Sequence, residues 1–125
     1  MILDIKANPI DWNKKIYISK KLKVEVDEED NEIVVYDKPE YYEFNYQPVN
    51  SYSEIVEFGE KCSIMKKMVI PISYINMFKE FDVAYLDGIT PKEEKVNGEN
   101  ANYRLLPPRN GNSVIVIYLE KIEGK

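Results

Sequence analysis

A chain of 125 residues is long enough for one domain with its own hydrophobic core and too short for two, so we expect a single domain over residues 1–125. The sequence has no histidine, which removes the usual general base near neutral pH and the commonest metal ligand; we therefore expect no enzyme, no metal site and no cofactor. A net charge of −5 disfavours general binding to nucleic acid, because most of the surface would repel phosphate.

Cysteine usage and hydropathy indicate the compartment. The single cysteine, Cys62, cannot form a disulfide within the chain, which suits a reducing environment. The first residues lack the basic start and long apolar run of a signal peptide. No stretch approaches the roughly 18 to 20 apolar residues that span a bilayer. We expect a protein that folds inside the cell and has no membrane partner.

The first half of the chain predicts strands. Alternating apolar and polar residues predict one strand from Lys14 to Val26, followed by an acidic turn at residues 27–31. A short β-branched strand from Glu32 to Tyr36 and an aromatic strand from Tyr41 to Gln47 come next. The rings of the last strand are expected in the core or in an interface: Tyr41, Tyr42, Phe44 and Tyr46.

A short helix interrupts the strands. Ser51 and Glu54 have the spacing of a capping box, and Gly59 stands where a two-turn helix would end. A long strand is predicted from Cys62 to Ile72, and a single helical turn from Ser73 to Phe78. Cys62 has no histidine partner, so we interpret it as a half-buried thiol.

Three apolar runs predict the last strands: Val83–Leu86, Tyr103–Leu106 and Val114–Leu119. The first two are separated by an Asp87–Gly88 turn and a long polar loop of about residues 88–102. Between the last two, Asn110–Gly111 predicts a hairpin with the positive φ angles of a type I′ turn. Seven or so short strands predict a mainly β protein, a small antiparallel β-barrel or sandwich with a long C-terminal hairpin.

Charge is divided sharply along the sequence. Residues 1–26 carry six lysines against three acids, residues 27–60 eleven acids against one lysine, and residues 61–125 ten bases against eight acids. A bipolar subunit can place its basic face on the acidic face of a copy or a partner. On one strand, Lys15, Lys21 and Lys23 would share a face that could make this contact; a lysine-protected outer strand is the alternative.

The order of several features resembles a known family. Asp30–Asn31 lies in an early turn, aromatic strands end in Tyr46-Gln47-Pro48-Val49, a short helix closes on Glu57-Phe58-Gly59-Glu60, and Phe81-Asp82-Val83-Ala84-Tyr85 opens the final part. Over roughly residues 15–120 this layout resembles the head-closure (stopper), or head-tail connector, proteins of long-tailed bacteriophages. The long loop Thr90–Asn102 departs from the family pattern.

The resemblance implies a structural protein of the virion neck, made in the cytoplasm of a host bacterium. Copies with a β-barrel core would form a ring, of hexameric or dodecameric origin, between the portal and adaptor proteins above and the tail proteins below. The ring would close the channel, and packaged DNA would pass nearby without specific binding. A tail-terminator subunit of the same neck is the first alternative, and a small acidic inhibitor of a host enzyme is the second.

Exposed polar loops are the expected contacts with these partners. The predicted partner-binding residues are Lys92, Glu93, Glu94, Asn97 and Asn100 of the long loop, Arg109, Asn110 and Asn112 of the hairpin tip, and Lys21 and Lys23 of the basic cluster. If the hairpin tip is a contact, Arg109→Glu should keep the fold and weaken assembly.

Overall fold

The computed structural model describes residues 14–91 and 100–123, without the side chain of Lys23. Its strands are β1 (Lys14–Ser19), β2 (Lys21–Val26), β3 (Glu32–Tyr36), β4 (Glu40–Pro48), β5 (Met65–Pro71), β6 (Val83–Tyr85), β7 (Tyr103–Leu105), β8 (Arg109–Asn110) and β9 (Val114–Lys121). This part of the chain also contains a helix, α1 (Tyr52–Phe58), and two 3₁₀ segments, Gly59–Ile64 and Ile72–Tyr74.

Six of these strands form a closed antiparallel barrel. They follow the order β5-β4-β1-β6-β7-β9, and β9 pairs with β5 to close the ring. The closing ladder runs from Met65 opposite Glu120 to Pro71 opposite Val114. Closure removes the two free edges that an open sheet would expose. The predicted mainly β fold, a small antiparallel barrel, is confirmed.

The largest buried cluster comes from alternate residues of the barrel strands, together with Phe78. Its members are Ile16, Ile18, Phe44, Met68, Ile70, Phe78, Ala84, Leu86, Tyr103, Leu105, Ile115, Ile117 and Leu119. Tyr42 and Tyr46 are half-buried against this cluster, as expected for the aromatic strand. Tyr41 is exposed, and its ring centroid lies 5.3 Å from that of Tyr17.

The predicted single strand from Lys14 to Val26 is wrong, because the chain changes sheet at Lys20. β1 belongs to the barrel, whereas β2 pairs with β3 in a separate two-stranded sheet. Ile16 is fully buried, but Val26 on β2 is 63% exposed. The apolar alternation continues across the break, so the pattern alone could not reveal it.

Asp82 fixes the point at which the chain leaves the barrel. This carboxylate is buried, and its Oδ1 accepts a hydrogen bond from the backbone N–H of Lys21 at 2.9 Å. Its Oδ2 accepts one from the N–H of Lys79, also at 2.9 Å. Across the root of the hairpin, the N–H of Asp37 donates to the carbonyl of Lys20 at 2.7 Å. A buried acid thus orients the first residue of β2 from a distant part of the sequence.

The acidic turn between β2 and β3 is ordered by Asp27. Its Oδ1 accepts hydrogen bonds from the N–H groups of Glu29 and Asn31 at 2.9 and 2.8 Å. The bond from Asn31 lowers the pKa of the Asp27 carboxyl. Asp30 takes a positive φ of 65°, which aspartate tolerates better than most residues. The segment is the exposed turn that was expected.

Helix α1 forms as its sequence signals indicate. Ser51 accepts a hydrogen bond from the N–H of Glu54, and the Glu54 side chain accepts one from the N–H of Ser51, which completes the capping box. Gly59 follows the helix with a φ of 61°. The strand predicted from Cys62 begins only at Met65, because a 3₁₀ segment comes first. The predicted helical turn after it is the 3₁₀ segment that starts at Ile72.

The type I′ turn lies at the Asp–Gly pair and not at the Asn–Gly pair for which it was predicted. Asp87 and Gly88 have φ angles of 57° and 84°, and the N–H of Ile89 donates to the carbonyl of Leu86, as in a type I′ turn. Asn110 and Gly111 have no positive φ, so the type I′ turn predicted there is wrong.

The hairpin tip lies further along the chain, because the N–H of Gly111 donates to the carbonyl of Val114 at 2.8 Å and leaves Asn112 and Ser113 as the turn. A Cβ at Gly111 would lie 3.0 Å from the same carbonyl, which explains the glycine there.

Removing the Asp82 carboxylate should destabilise the protein. Asp82→Ala leaves two amide groups at a buried site without acceptors, so we expect the free energy of unfolding to fall by about 2–3 kcal/mol. Asp82→Asn keeps one oxygen and should lose less. Urea unfolding followed by fluorescence measures both values. An alanine variant as stable as the unchanged protein would contradict this role.

Candidate interaction surfaces

Helix α1 lies on the outer wall of the barrel, at the seam between β5 and β9. Phe58 packs on Tyr118 of β9, with 4.8 Å between the ring centroids. Tyr118, Met65 of β5 and Val49 form a small buried cluster outside the barrel, against which Phe58 is half-buried. This cluster holds one side of the helix, and the other side faces outward.

A buried carboxylate ties the helix to the barrel. Glu54 is only 4% exposed, and its Oε2 accepts hydrogen bonds from the Tyr118 hydroxyl at 2.6 Å and from the Lys67 ammonium at 2.8 Å. Its Oε1 accepts a bond from the N–H of Ser51 at 3.0 Å. All three donors satisfy a charge that would otherwise be costly to bury.

The protonation states of this network are fixed near neutral pH. Burial would raise the pKa of Glu54, but the hydrogen bonds from Lys67, Tyr118 and Ser51 outweigh it and lower the pKa to about 2. Burial, and then the hydrogen bond to Glu54, raise the pKa of Tyr118 to about 12. Neither group changes its proton near pH 7, so the network acts as a tie and not as an acid–base pair.

Arg109, a predicted partner-binding residue, is joined to the same helix. Its guanidinium donates two hydrogen bonds to the Glu57 carboxylate, one of them from Nη1 to Oε1 at 3.0 Å. The group also lies over the rings of Tyr118 and Phe58, at 4.8 and 5.6 Å from their centroids. These hydrogen bonds lower the pKa of Glu57. Arg109→Glu would therefore also loosen α1, and a loss of assembly in that variant would not identify a contact.

The outward side of α1 is apolar, and we name it the helix patch. It consists of Tyr52, Ile55 and Val56 of α1 together with Ile64. Tyr52 is 84% exposed and Val56 is 67% exposed. The three helical residues are three and four positions apart, a spacing that places them on one face. Clustered exposed apolar side chains of this kind mark interaction sites.

A shallow groove with basic edges adjoins the helix patch. Its lining consists of Lys61, Ile64, Arg104, Glu120, Lys121, Ile122 and Glu123. Glu120 accepts from Arg104 at 3.2 Å and lies 3.7 Å from the Lys61 ammonium. The groove therefore carries three bases against two acids. Ile64 is the exposed apolar residue at the end of the 3₁₀ segment that follows α1, and it also lines this groove.

The second apolar surface lies on the hairpin of β2 and β3, and we name it the hairpin patch. It consists of Leu22, Val24 and Val26, all exposed; Val24 and Val26 share one face of β2, and Leu22 lies at the irregularity in the pairing between Lys21 and Lys23. Val24 is paired with Val34 of β3, which extends the same face because paired residues point to one side. An isolated two-stranded sheet is only marginally stable in water, so such a face gains from being covered.

Helix α1 and the root of the hairpin that carries the hairpin patch lie on opposite sides of the barrel. The root of the hairpin is packed through Tyr36 near Val83 and Tyr85 of β6 and Tyr17 of β1. Helix α1 covers the seam between β5 and β9. In the order β5-β4-β1-β6-β7-β9, these two pairs of neighbours are three strands apart in a ring of six. A contact that covers one patch therefore leaves the other exposed.

The structure describes only part of the predicted contact loop. Lys92, Glu93, Glu94 and Asn97 lie outside the described residues. Asn100 is half-buried, and its side-chain N–H donates to the carbonyl of Thr90 at 2.6 Å, across the base of the loop. The placement of Asn100 indicates a role in joining the ends of this loop.

The remaining predicted contact residues do not form one surface. Asn110 and Asn112 are exposed at the hairpin tip near β9. Lys21 begins β2, and its ammonium lies 5.1 Å above the ring of Phe81. Lys23 lies opposite Val35 in the other sheet. Lys15 is on β1 of the barrel, so the basic face that it was expected to share with Lys21 and Lys23 does not form.

Both apolar patches were missed by the analysis of the sequence, which looked for polar contact residues. A signal was present for the helix: Tyr52, Ile55 and Val56 have helical spacing and lie away from the buried Glu54, so α1 carries apolar residues on its outward side as well as at Phe58. A surface helix that is apolar on both sides has a second surface to bury. The hairpin patch had no such signal, because its alternation matches that of a core strand.

Features of other site classes are sparse. Within residues 14–91 and 100–123, no group of three or more acidic, cysteine or histidine residues is arranged to hold a metal ion. Cys62 is half-buried, as expected, with its sulfur 3.5 Å from the carbonyl of Glu54. In the same ranges, no helix is both long and apolar enough to cross a bilayer.

No protein-family model matches the sequence, and neither the curated proteins nor the solved structures gave a significant match.

The Glu54 tie should make stability depend on pH in the acid range. Its pKa is lowered on folding, so its contribution is present above the ordinary value of 4.5 and is lost as the pH falls towards about 2. A shift of this size corresponds to about 3 kcal/mol. Glu54→Gln should therefore be less stable than the unchanged protein at pH 7, and the gap should shrink below pH 4.5.

Denaturant unfolding at a series of pH values measures this gap. Glu80→Gln, at an exposed carboxylate, is the matched control and should follow the unchanged protein at every pH. A constant gap between the Glu54→Gln variant and the unchanged protein across the acid range would show that Glu54 does not supply the dependence.

Proposed function

We propose that this protein is a structural subunit of a tailed-bacteriophage neck, a head-closure protein whose copies form a ring between head and tail. The observation that carries the proposal is the pair of apolar patches, on a helix and a hairpin that pack on opposite sides of one closed barrel. A subunit with two different surfaces to cover associates head to tail, and repeated head-to-tail contacts close into rings when the rotation allows it. The resemblance in sequence layout points to the same kind of assembly.

The chemistry of the described residues supports a role in docking. The most strongly perturbed carboxylate, Glu54, is held ionised by three hydrogen-bond donors and ties a helix in place. The subunit would act without a cofactor, by presenting surfaces to portal or adaptor proteins on one side and tail proteins on the other. Its surroundings would be the virion neck, after synthesis in the host cytoplasm.

The charge of the chain suits a channel through which DNA moves. Affinity for DNA depends on contacts between basic side chains and phosphate. A ring of subunits with a net charge of −5 would repel a passing duplex over much of its surface, so DNA would slide without being held. Packaged DNA is therefore a neighbour of the ring and not its ligand.

Two other functions remain as alternatives. A tail-terminator subunit would occupy the same neck, but terminators usually mix helices with their sheet, and the described residues contain one α-helix of seven residues. A small inhibitor of a host enzyme is favoured by the acidic turn at residues 27–30, which projects from the hairpin and could mimic nucleic acid. Such an inhibitor would bind one enzyme and would not need two apolar patches.

Affinity capture separates these functions. Tagged protein is recovered from bacteria in which the phage that carries its gene is growing, and bound proteins are identified by mass spectrometry. We expect portal, adaptor or tail proteins in the eluate, because a neck subunit has neighbours on both sides. Capture dominated by tail proteins would favour the terminator. Capture of a single host enzyme in their place would overturn the proposed neck function and support the inhibitor function.

A further inference from the structure

The two patches are both apolar and exposed, and they differ in form. The hairpin patch is a narrow aliphatic ribbon made of Leu22, Val24 and Val26. The helix patch is a short apolar face, and its Ile64 also lines a groove. A two-stranded ribbon laid on a helix face and into the groove beside it would remove both surfaces from water.

The charges of the two surfaces favour one direction for such a contact. The turn beyond Val26 carries four consecutive acids at residues 27–30. The groove beside the helix patch is lined by Lys61, Arg104 and Lys121 against Glu120 and Glu123, an excess of one positive charge, and the Lys61 side chain is 68% exposed. When the ribbon lies on the helix patch, its acidic end can extend over these bases, and opposite charges then meet.

We propose that the hairpin patch of one copy docks on the helix patch of the next copy, with the acidic turn over the basic groove. The inference rests on the proposed function, because it identifies the contact that builds the ring. The occupant of each patch is a second copy of this chain. The contact joins two different surfaces, so each copy gives its hairpin to one neighbour and receives a hairpin from the other.

A symmetric contact fits the structure less well. Two hairpin patches packed face to face would form a dimer around a two-fold axis, the commonest closed symmetry. That dimer would cover the hairpin patches and leave Tyr52, Ile55 and Val56 of both copies exposed to water. Docking of hairpin on helix covers both patches with one kind of contact.

Complementation between two variants tests the contact. Val26→Lys places a charge on the hairpin patch, and Val56→Lys places one on the helix patch; both side chains are more than half exposed, so the fold should tolerate the change. We expect each variant alone to remain monomeric in analytical ultracentrifugation at concentrations at which the unchanged protein assembles. Circular dichroism checks that both remain folded.

Mixing the variants should restore one contact and only one. The Val26→Lys copy keeps a helix patch and the Val56→Lys copy keeps a hairpin patch, so the mixture should form pairs of one copy each and nothing larger. Ile75→Lys, at an exposed apolar residue outside both patches, is the matched control and should assemble like the unchanged protein.

Several results would overturn the inference. Assembly of the Val26→Lys variant like the unchanged protein would show that the hairpin is not a contact. Self-association of the Val56→Lys variant into dimers would show hairpin packed on hairpin. An unchanged protein that stays monomeric to about 1 mM, the range of the weakest specific contacts, would reject self-docking altogether.

Failure of the contact and failure of the neck function are distinguishable. If virion proteins are captured and the Val26→Lys variant assembles normally, the neck function is supported and the hairpin-on-helix contact is rejected. If the two variants complement each other but no virion proteins are captured, the hairpin-on-helix contact is supported and the neck function is rejected.

Discussion

The pairing of β9 with β5 is the interaction on which the rest of the structure depends. β9 is bonded to β5 along one edge and to β7 and β8 along the other, and this pairing turns a six-stranded sheet into a barrel. Closure directs one set of side chains to the interior, where they fill a single core. Helix α1 and the hairpin of β2 and β3 pack on outward residues of the same strands. The positions of both patches therefore depend on barrel closure.

Local signals in the sequence predicted local structure well. The capping box at Ser51 and Glu54 and the glycine after α1 are decided within a few residues, and the helix forms where they place it. The break at Lys20 could not be predicted, because it depends on a hydrogen bond from Lys21 to Asp82, 61 residues further on. The turn at Asn112 and Ser113 was missed because Asn110 belongs to strand β8 and pairs with Ile115 of β9. This pairing moves the turn two residues beyond the Asn–Gly pair. Tertiary pairing overrode a local preference in both places.

The candidate surfaces were harder to predict than the fold. Polar residues at loop tips are the usual first choice for contacts, and Arg109 is such a residue. Its partner, Glu57, is 52 positions away, so no local pattern indicates that the charge is satisfied within the chain. The apolar residues of β2 and α1 were used to predict a strand and a helix and were not considered as contacts, because their spacing is also that of core residues. Spacing tells which residues share a face, but only the packed structure tells whether that face is covered.

The separation of the hairpin from the barrel has a consequence for folding. β2 and β3 are joined by a short turn and can pair early, since a small loop closes quickly. The barrel closes only when β5 and β9 meet, and these strands are separated by more than forty residues of chain. Non-local pairing of this kind slows folding. Because an isolated two-stranded sheet is only marginally stable, the apolar residues of this hairpin would form and lose their pairing until the barrel closes, and during that time they could associate with other unfinished chains.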